Sequence, residues 1–326
     1  MEFLLLDWLG KPLWLWLSFL AIVVVLLVVD LGVVHRKSKE IGVTESLVTS
    51  AIYILLGVAF GGWVWWYMGE TAGMNYLTGF VVEKSLAMDN VFVIAMIFTY
   101  FSVPRLYQHR VLFWGILGVI VLRAIMIGLG ATLVEQFGWV LYVFAAFLIF
   151  TGVKMWLFAD KEYDVAANPV LKFVRKRFRV TDQLHGERFY VKQTDPATGK
   201  LHWYMTPLML ALLMVEIVDV VFAVDSVPAI FAITTDPFIV YTSNIFAILG
   251  LRALYFALAA MVDRFHYLKY ALALLLVFIG SKIFVADALG LAKVPPVVSL
   301  SITFAILAAG IGWSLWKTRG QAVTAA

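Results

Sequence analysis

Apolar residues in this chain fall into long unbroken runs instead of the alternating or three-and-four patterns of a half-buried soluble element. Runs of roughly 20 residues, enough for a helix rising ~1.5 Å per residue to cross ~30 Å of hydrocarbon, lie at 13–34, 45–68, 75–102, 111–131, 137–158, 205–232, 238–260, 267–287 and 296–316. The pattern predicts an all-α polytopic membrane protein of about nine transmembrane helices. Trp14, Trp16, Trp63, Trp65, Trp66, Trp313 and Trp316 stand near run edges, where amphipathic rings settle at the headgroup level.

The polar connections orient the runs. Arg36, Lys37 and Lys39 follow the first run, Arg105 and Arg110 follow the third, and the connections after the second and fourth hold no basic residue. The connection after the fifth holds Lys161, Lys172, Arg175, Lys176, Arg177, Arg179, Arg188, Lys192 and Lys200. Basic residues mark the cytoplasmic side, so the N-terminus is expected outside and the C-terminus, with Lys317 and Arg319, inside. Arg264 agrees with this orientation and Lys293 is the exception.

Composition agrees: 326 residues, 63% hydrophobic and 14% charged, with a mean hydropathy of +0.93, exclude a soluble domain and make the lipid bilayer the main partner. The net charge of +4 sits in loops beside apolar runs, so it reads as topology and not as a nucleic-acid surface. With no cysteine, disulfides and thiolate metal ligation are excluded. Residues 1–12 lack a basic stretch and a small-residue cleavage site, so the first run is expected to be a retained helix. The segment 159–204 is too polar and short for a strong core of its own. Within it, 169–180 interleaves Leu171, Phe173, Val174 and Phe178 with five basic residues, which suits either a helix on an anionic membrane surface or a solvated linker.

An internal repeat organises the rest. Val134, Glu135 and Phe137 match Val262, Asp263 and Phe265, and Phe150, Gly152 and Lys154 match Phe278, Gly280 and Lys282, both 128 positions apart. Leu122, Arg123 and Ala124 match Leu251, Arg252 and Ala253; Glu83 and Asp89 match Asp219 and Asp225, 136 positions apart. Each copy holds three runs, so the second must enter the membrane from the other side, an inverted repeat of three plus three helices as found in secondary transporters. The expected units are 1–70 (two N-terminal helices), 71–158 (first repeat), 159–204 (basic connection), 205–287 (second repeat) and 288–326 (C-terminal helix and tail).

Within the runs lie two acidic motifs: Glu83, Lys84, Asp89 and Asn90, then Glu216, Asp219, Asp225, Ser226 and Pro228. A carboxylate at mid-bilayer costs about 2.5–3.5 kcal/mol on insertion scales, so five need cations, shared protons or water. Acids six residues apart on one straight helix differ by about 240° in azimuth and ~9 Å in height, so neither motif chelates an ion alone. The expectation is that both motifs face each other across the repeat interface, with unwinding near Pro228 freeing carbonyls as further ligands. Carboxylates beside the neutral oxygens of Asn90 and Ser226, without His or Cys, favour Mg2+, Ca2+ or Mn2+ over Zn2+ or Cu2+; ligand type does not choose among the three. Ligating carboxylates must be deprotonated, so cation release can couple to proton uptake. Among the intramembrane bases, Lys154 and Lys282 are expected to snorkel to the interface. Lys84, Arg123 and Arg252 are counter-charges, the two arginines paired with carboxylates or carbonyls at the repeat interface when the site is empty. Asn244, with Thr242 and Ser243, reads as a helix-start polar cluster, and Met88 as packing. Ser226 has no histidine nearby in its span, so an enzyme is not expected.

These motifs, together with Thr235, Asp236 and Pro237 and with Gly250, Leu251 and Arg252, resemble the TerC family, within the LysE-type transporters, and most of all its alkaline-inducible bacterial branch. The resemblance runs from about 70 to 287. It implies a multi-pass protein of the bacterial inner membrane that exports manganese, with Glu83, Asp89, Glu216, Asp219 and Asp225 as the ion path and Asn90 and Ser226 beside it. Mn2+ is then the transported substrate and no cofactor is expected. Because a plant thylakoid relative is associated with protein insertion, the resemblance also admits a membrane scaffold or insertion factor in which the acids form a structural ion-pair network. The oligomeric state stays open.

Overall fold

A computed structural model describes residues 5–32, 42–159, 164–194, 199–259, 265, 267–290 and 294–318. Arg36, Lys37, Lys39, Lys161, Val262, Asp263, Arg264, Lys293 and Arg319, used above for topology or the repeat, lie outside the described residues. Every apolar run becomes helix, the form in which a chain in lipid satisfies its own backbone groups. In order these are α1 (Leu13–Gly32), α2 (Val43–Met68), α3 (Glu70–Tyr100), α4 (Arg105–Gln136), α5 (Val140–Leu157), α6 (Pro169–Arg177), α7 (Pro207–Ile233), α8 (Pro237–Ile248), α9 (Leu251–Leu258), α10 (Leu268–Ala288) and α11 (Pro296–Thr318).

The count of about nine membrane spans is not reproduced by helix length and apolarity. Among the described residues six helices are long and apolar enough to cross a membrane, or seven if α8 and α9, bent by 41°, form one span. The apolar part of α1, Leu13–Val29, is shorter. In α3, 31 residues long, Glu70, Glu83, Lys84 and Asp89 interrupt the apolar surface. The bend divides the seventh run at Gly250, which takes φ 78°, a left-handed conformation open to glycine. Unwinding at Pro228 does not occur: α7 runs through it to Ile233. The break sits instead where Lys84 Nζ donates to the carbonyls of Ala247 (2.9 Å) and Leu249 (3.3 Å), satisfying the end of α8 as a C-terminal lysine does.

In the packing α3 is central. It lies against α2, α7, α8 and α11, while α4 packs on α7 and α5 on α10. The α5–α10 contact is reciprocal: a Cβ on Gly152 would meet Ala273 O at 2.7 Å and Val277, and one on Gly280 would meet Ala145 O at 2.5 Å and Ile149. Each partner on one helix stands 128 positions from its counterpart on the other. Three apolar clusters surround the middle of α3, α4 and α7.

The connection after α5 is folded against the bundle. Asn168 caps α6, β3 (Tyr190–Thr194) and β4 (Leu201–Met205) pair as an antiparallel hairpin, and the whole docks on one end of the bundle. Val165 and Leu171 are buried in the cluster that holds Phe98, Leu208 and Tyr255. Arg110 bonds Glu187 at 3.2 Å and covers the Phe189 ring, and Arg175 covers Tyr100. The segment lacks a core but borrows that of the bundle. At the other end a two-residue hairpin, β1 (Asp7–Trp8) with β2 (Lys11–Pro12), is tied down by Lys11 to Asp236 at 3.0 Å.

Candidate ion site

Arg123, near mid-helix in α4, is 1% exposed and is bonded to side chains from three other helices. It grips Asp219 of α7 as a two-pronged fork, Nε to Oδ2 at 3.2 Å and Nη2 to Oδ1 at 3.1 Å. Nη1 donates to Glu83 of α3, to Ser226 Oγ at 3.1 Å and, at the long distance of 3.4 Å, to Asn244 Oδ1 of α8. Glu83, Asp219, Ser226 and Asn244 are all buried. A guanidinium offers five donors in a plane and suits carboxylates on two sides. One guanidinium thus serves two carboxyl groups, inside three apolar clusters.

Small residues let the helices approach this point. A Cβ on Gly79 of α3 would fall 2.2 Å from Ile230 and 3.0 Å from Ser243 Oγ. On α4, a Cβ at Gly118 would fall 2.0 Å from Glu216 Oε1, so the Glu216 carboxyl is seated in the space glycine leaves. Glu216 Oε2 is enclosed and has no hydrogen-bond partner among the described residues; the same holds for Asn90 Oδ1 and Asn244 Nδ2. Beside the Arg123 fork a cavity of about 10 Å3 is lined by Asn90, Gly115, Val119, Val215, Asp219 and Leu251, among others.

The five acids of the two motifs do not converge. Glu83 and Asp219 meet on Arg123, as its expected role of counter-charge requires, and Glu216 lies one turn from Asp219 on α7. Asp89 and Asp225 stand apart: both are partly exposed, and Asp225 accepts a hydrogen bond from Thr151 of α5. Among the described residues no group of three or more His, Cys, Asp and Glu is placed to hold a metal ion. α3 and α7 are each continuous through their acids, and an acid six residues further along a helix faces about 240° away. Lys84 serves the α8 break and not an acid. Arg252, on α9, is buried and has partners of its own. Lys154 is exposed, whereas Lys282 is buried and bonds Ser299 Oγ of α11 at 3.4 Å. Met88 packs between two apolar clusters.

The residue sequence reasoning misplaced is Asn244. Thr242 and Ser243 bond carbonyls of their own helix, whereas Asn244 reaches Arg123. The available signal was an amide six residues before a glycine within an apolar run.

Residues 68–322, which contain every residue of the site, match the integral membrane protein TerC family. The chain belongs to the TerC family. It is 46% identical over 310 residues to an uncharacterized membrane protein of Myxococcus xanthus, covering 95% of this chain and 94% of that one. It is 46% identical over 296 residues to an uncharacterized membrane protein of Rickettsia bellii, with 91% and 95% covered. It is 48% identical over 307 residues to the putative membrane-bound redox modulator Alx of Escherichia coli, with 91% and 92% covered. No solved structure matches the chain significantly. Like the family to which it belongs, this TerC chain is an integral membrane protein.

Proposed function

We propose that this protein is a secondary transporter that exports a divalent metal cation, Mn2+, from the bacterial cytoplasm by proton antiport, through a carboxylate path between two inverted repeats. The observation that carries the reading is the meeting of Glu83 with Asp219. They are equivalent positions of the two repeats, and they lie near the middle of α3 and α7 on one buried cation. A transporter of inverted repeats keeps its substrate site near mid-membrane where the copies meet. The reciprocal seating of Gly152 and Gly280 supports a two-fold relation between the repeats. The unused oxygens of Glu216 and Asn90 supply acceptors of the kind hard divalent cations take. In this reading the end of the bundle that carries Arg105, Arg110 and the docked basic segment faces the cytoplasm.

Arg123 favours a second reading, because it already satisfies Glu83 and Asp219 as a purely structural network would, and a scaffold or insertion factor needs no more. Glu216 separates the two: a structural network has no use for an enclosed carboxylate oxygen without a partner. The name of the Escherichia coli relative speaks of redox modulation; these 326 residues contain no cysteine, so thiol–disulfide chemistry is not available to them. Inside-out membrane vesicles containing the protein test the proposal. Mn2+ accumulates in them when a proton gradient is imposed and leaks away when a protonophore collapses it; accumulation no greater than in vesicles without the protein contradicts export.

A further inference from the structure

Away from Arg123, a cavity of about 330 Å3 opens at the end of the bundle opposite the docked segment. The first turns of α3, α5 and α11 and the last turns of α7 and α10 enclose it. Its floor is buried, with Phe231 and Ile233 from α7, Lys282 and Ala286 from α10 and Ser299 from α11. Its rim is exposed, with Thr71, Tyr142, Thr235 and Asp287.

The lining carries one charge of each sign, at different depths. Lys282 is 9% exposed and donates to Ser299 Oγ at 3.4 Å. A buried ammonium calls for negative charge and acceptors around it, and here it borders a space large enough to admit them. Asp287 stands five residues on, about 7.5 Å nearer the end of α10, where it is exposed. Leu141, Ile283 and Pro296 supply carbon to the walls, and Asn75 an amide.

The surroundings belong to the edge of a membrane. Trp139 and Tyr142, exposed at the start of α5, are aromatic side chains of the kind that settle at headgroup depth. Val143, Phe284, Val285 and Val297 adjoin lining residues and are exposed apolar side chains, a surface suited to acyl chains. The cavity is therefore polar within and bordered by carbon outside.

We infer that this cavity holds the head of a zwitterionic phospholipid of the phosphoethanolamine type. The phosphate takes Lys282 and Ser299, the ammonium takes Asp287, and the acyl chains lie outside along α5, α10 and α11. In a leaflet the phosphate lies deeper than the ammonium, the order in which Lys282 and Asp287 are presented. Hydrogen bonds between an ammonium and a phosphate are of the strong, charge-assisted kind, and basic pockets between membrane helices are places where headgroups bind. The lipid ties α11 to the second repeat, and the site stands whether or not the Arg123 centre carries a cation.

Native mass spectrometry of the full chain purified in detergent, titrated with dioctanoyl phosphatidylethanolamine, tests the site. A single lipid binds saturably, about ten-fold more tightly than dioctanoyl phosphatidylglycerol, which keeps the phosphate and lacks the ammonium. Lys282→Met weakens binding about ten-fold or more, and Asp287→Asn abolishes the preference between the two lipids. O-phosphoethanolamine, the head without chains, competes far more weakly than the lipid. Competition by it as strong as by the lipid means a soluble ligand and overturns the lipid. Equal binding of the two lipids by the wild type, or undiminished binding in Lys282→Met, overturns the site. If Lys282→Met does not fold, the exposed Asp287→Asn decides: loss of the preference supports the site, and a preference kept overturns it.

Discussion

Replacing Arg123 by alanine leaves the buried carboxyl groups of Glu83 and Asp219 without the cation they share. Removing one member of a buried ionic cluster costs about 3–5 kcal/mol, so Arg123→Ala is expected to lower the detergent melting temperature sharply, with Glu83→Gln in the same chain restoring part of the loss. A melt unchanged in Arg123→Ala contradicts the network as described. Gly118 makes the opposite kind of prediction. A methyl group there occupies the place of Glu216 Oε1, so Gly118→Ala turns that carboxylate away without touching the Arg123 bonds. Melting is expected to stay near wild type while Mn2+ flux falls at least several-fold; full flux in Gly118→Ala argues against a role for Glu216.

Between α8 and α9, Gly250 and Lys84 hold a break that two substitutions probe. Gly250→Ala must place a residue with a Cβ at φ 78° and 2.7 Å from Tyr53, where the backbone conformation alone costs about 1–2 kcal/mol. Lys84→Met removes the donor to Ala247 and Leu249 and leaves buried carbonyls unpaired, about 1–3 kcal/mol. Both are expected to lower the melting temperature, and hydrogen exchange at residues 247–252 is expected to rise in Lys84→Met; unaltered exchange there means the lysine does not hold the break. The helical runs were legible because lipid leaves no other way to satisfy a backbone, and an apolar run states its own length. The break was not legible, since Gly250 is one glycine among many and its distinguishing feature is a lysine 166 positions earlier. The docked segment escaped for a related reason: its buried apolar residues, Val165, Leu171 and Val191, are few, and Val165 and Leu171 are buried in a cluster of the bundle.

At the scale of the molecule, the repeat read from matched residues aligned Glu83 with Asp219, and of the five acids expected to face each other these two meet on Arg123. What it could not foretell is that Asp89 and Asp225 would stay outside, because azimuth around a helix depends on how neighbours cross it and not on spacing alone. The charge-bearing middle of the bundle is thus divided into a closed centre on Arg123 and the partly exposed Asp89 and Asp225. The most direct check is Mn2+ efflux from loaded proteoliposomes, with and without a pH gradient, comparing the wild type with Glu216→Gln. That substitution preserves shape and leaves every Arg123 bond in place. The account predicts gradient-driven efflux in the wild type and its loss in a variant that melts normally. Equal efflux in the two, or none above empty liposomes in either, contradicts a carboxylate transport path and makes the buried acids structural.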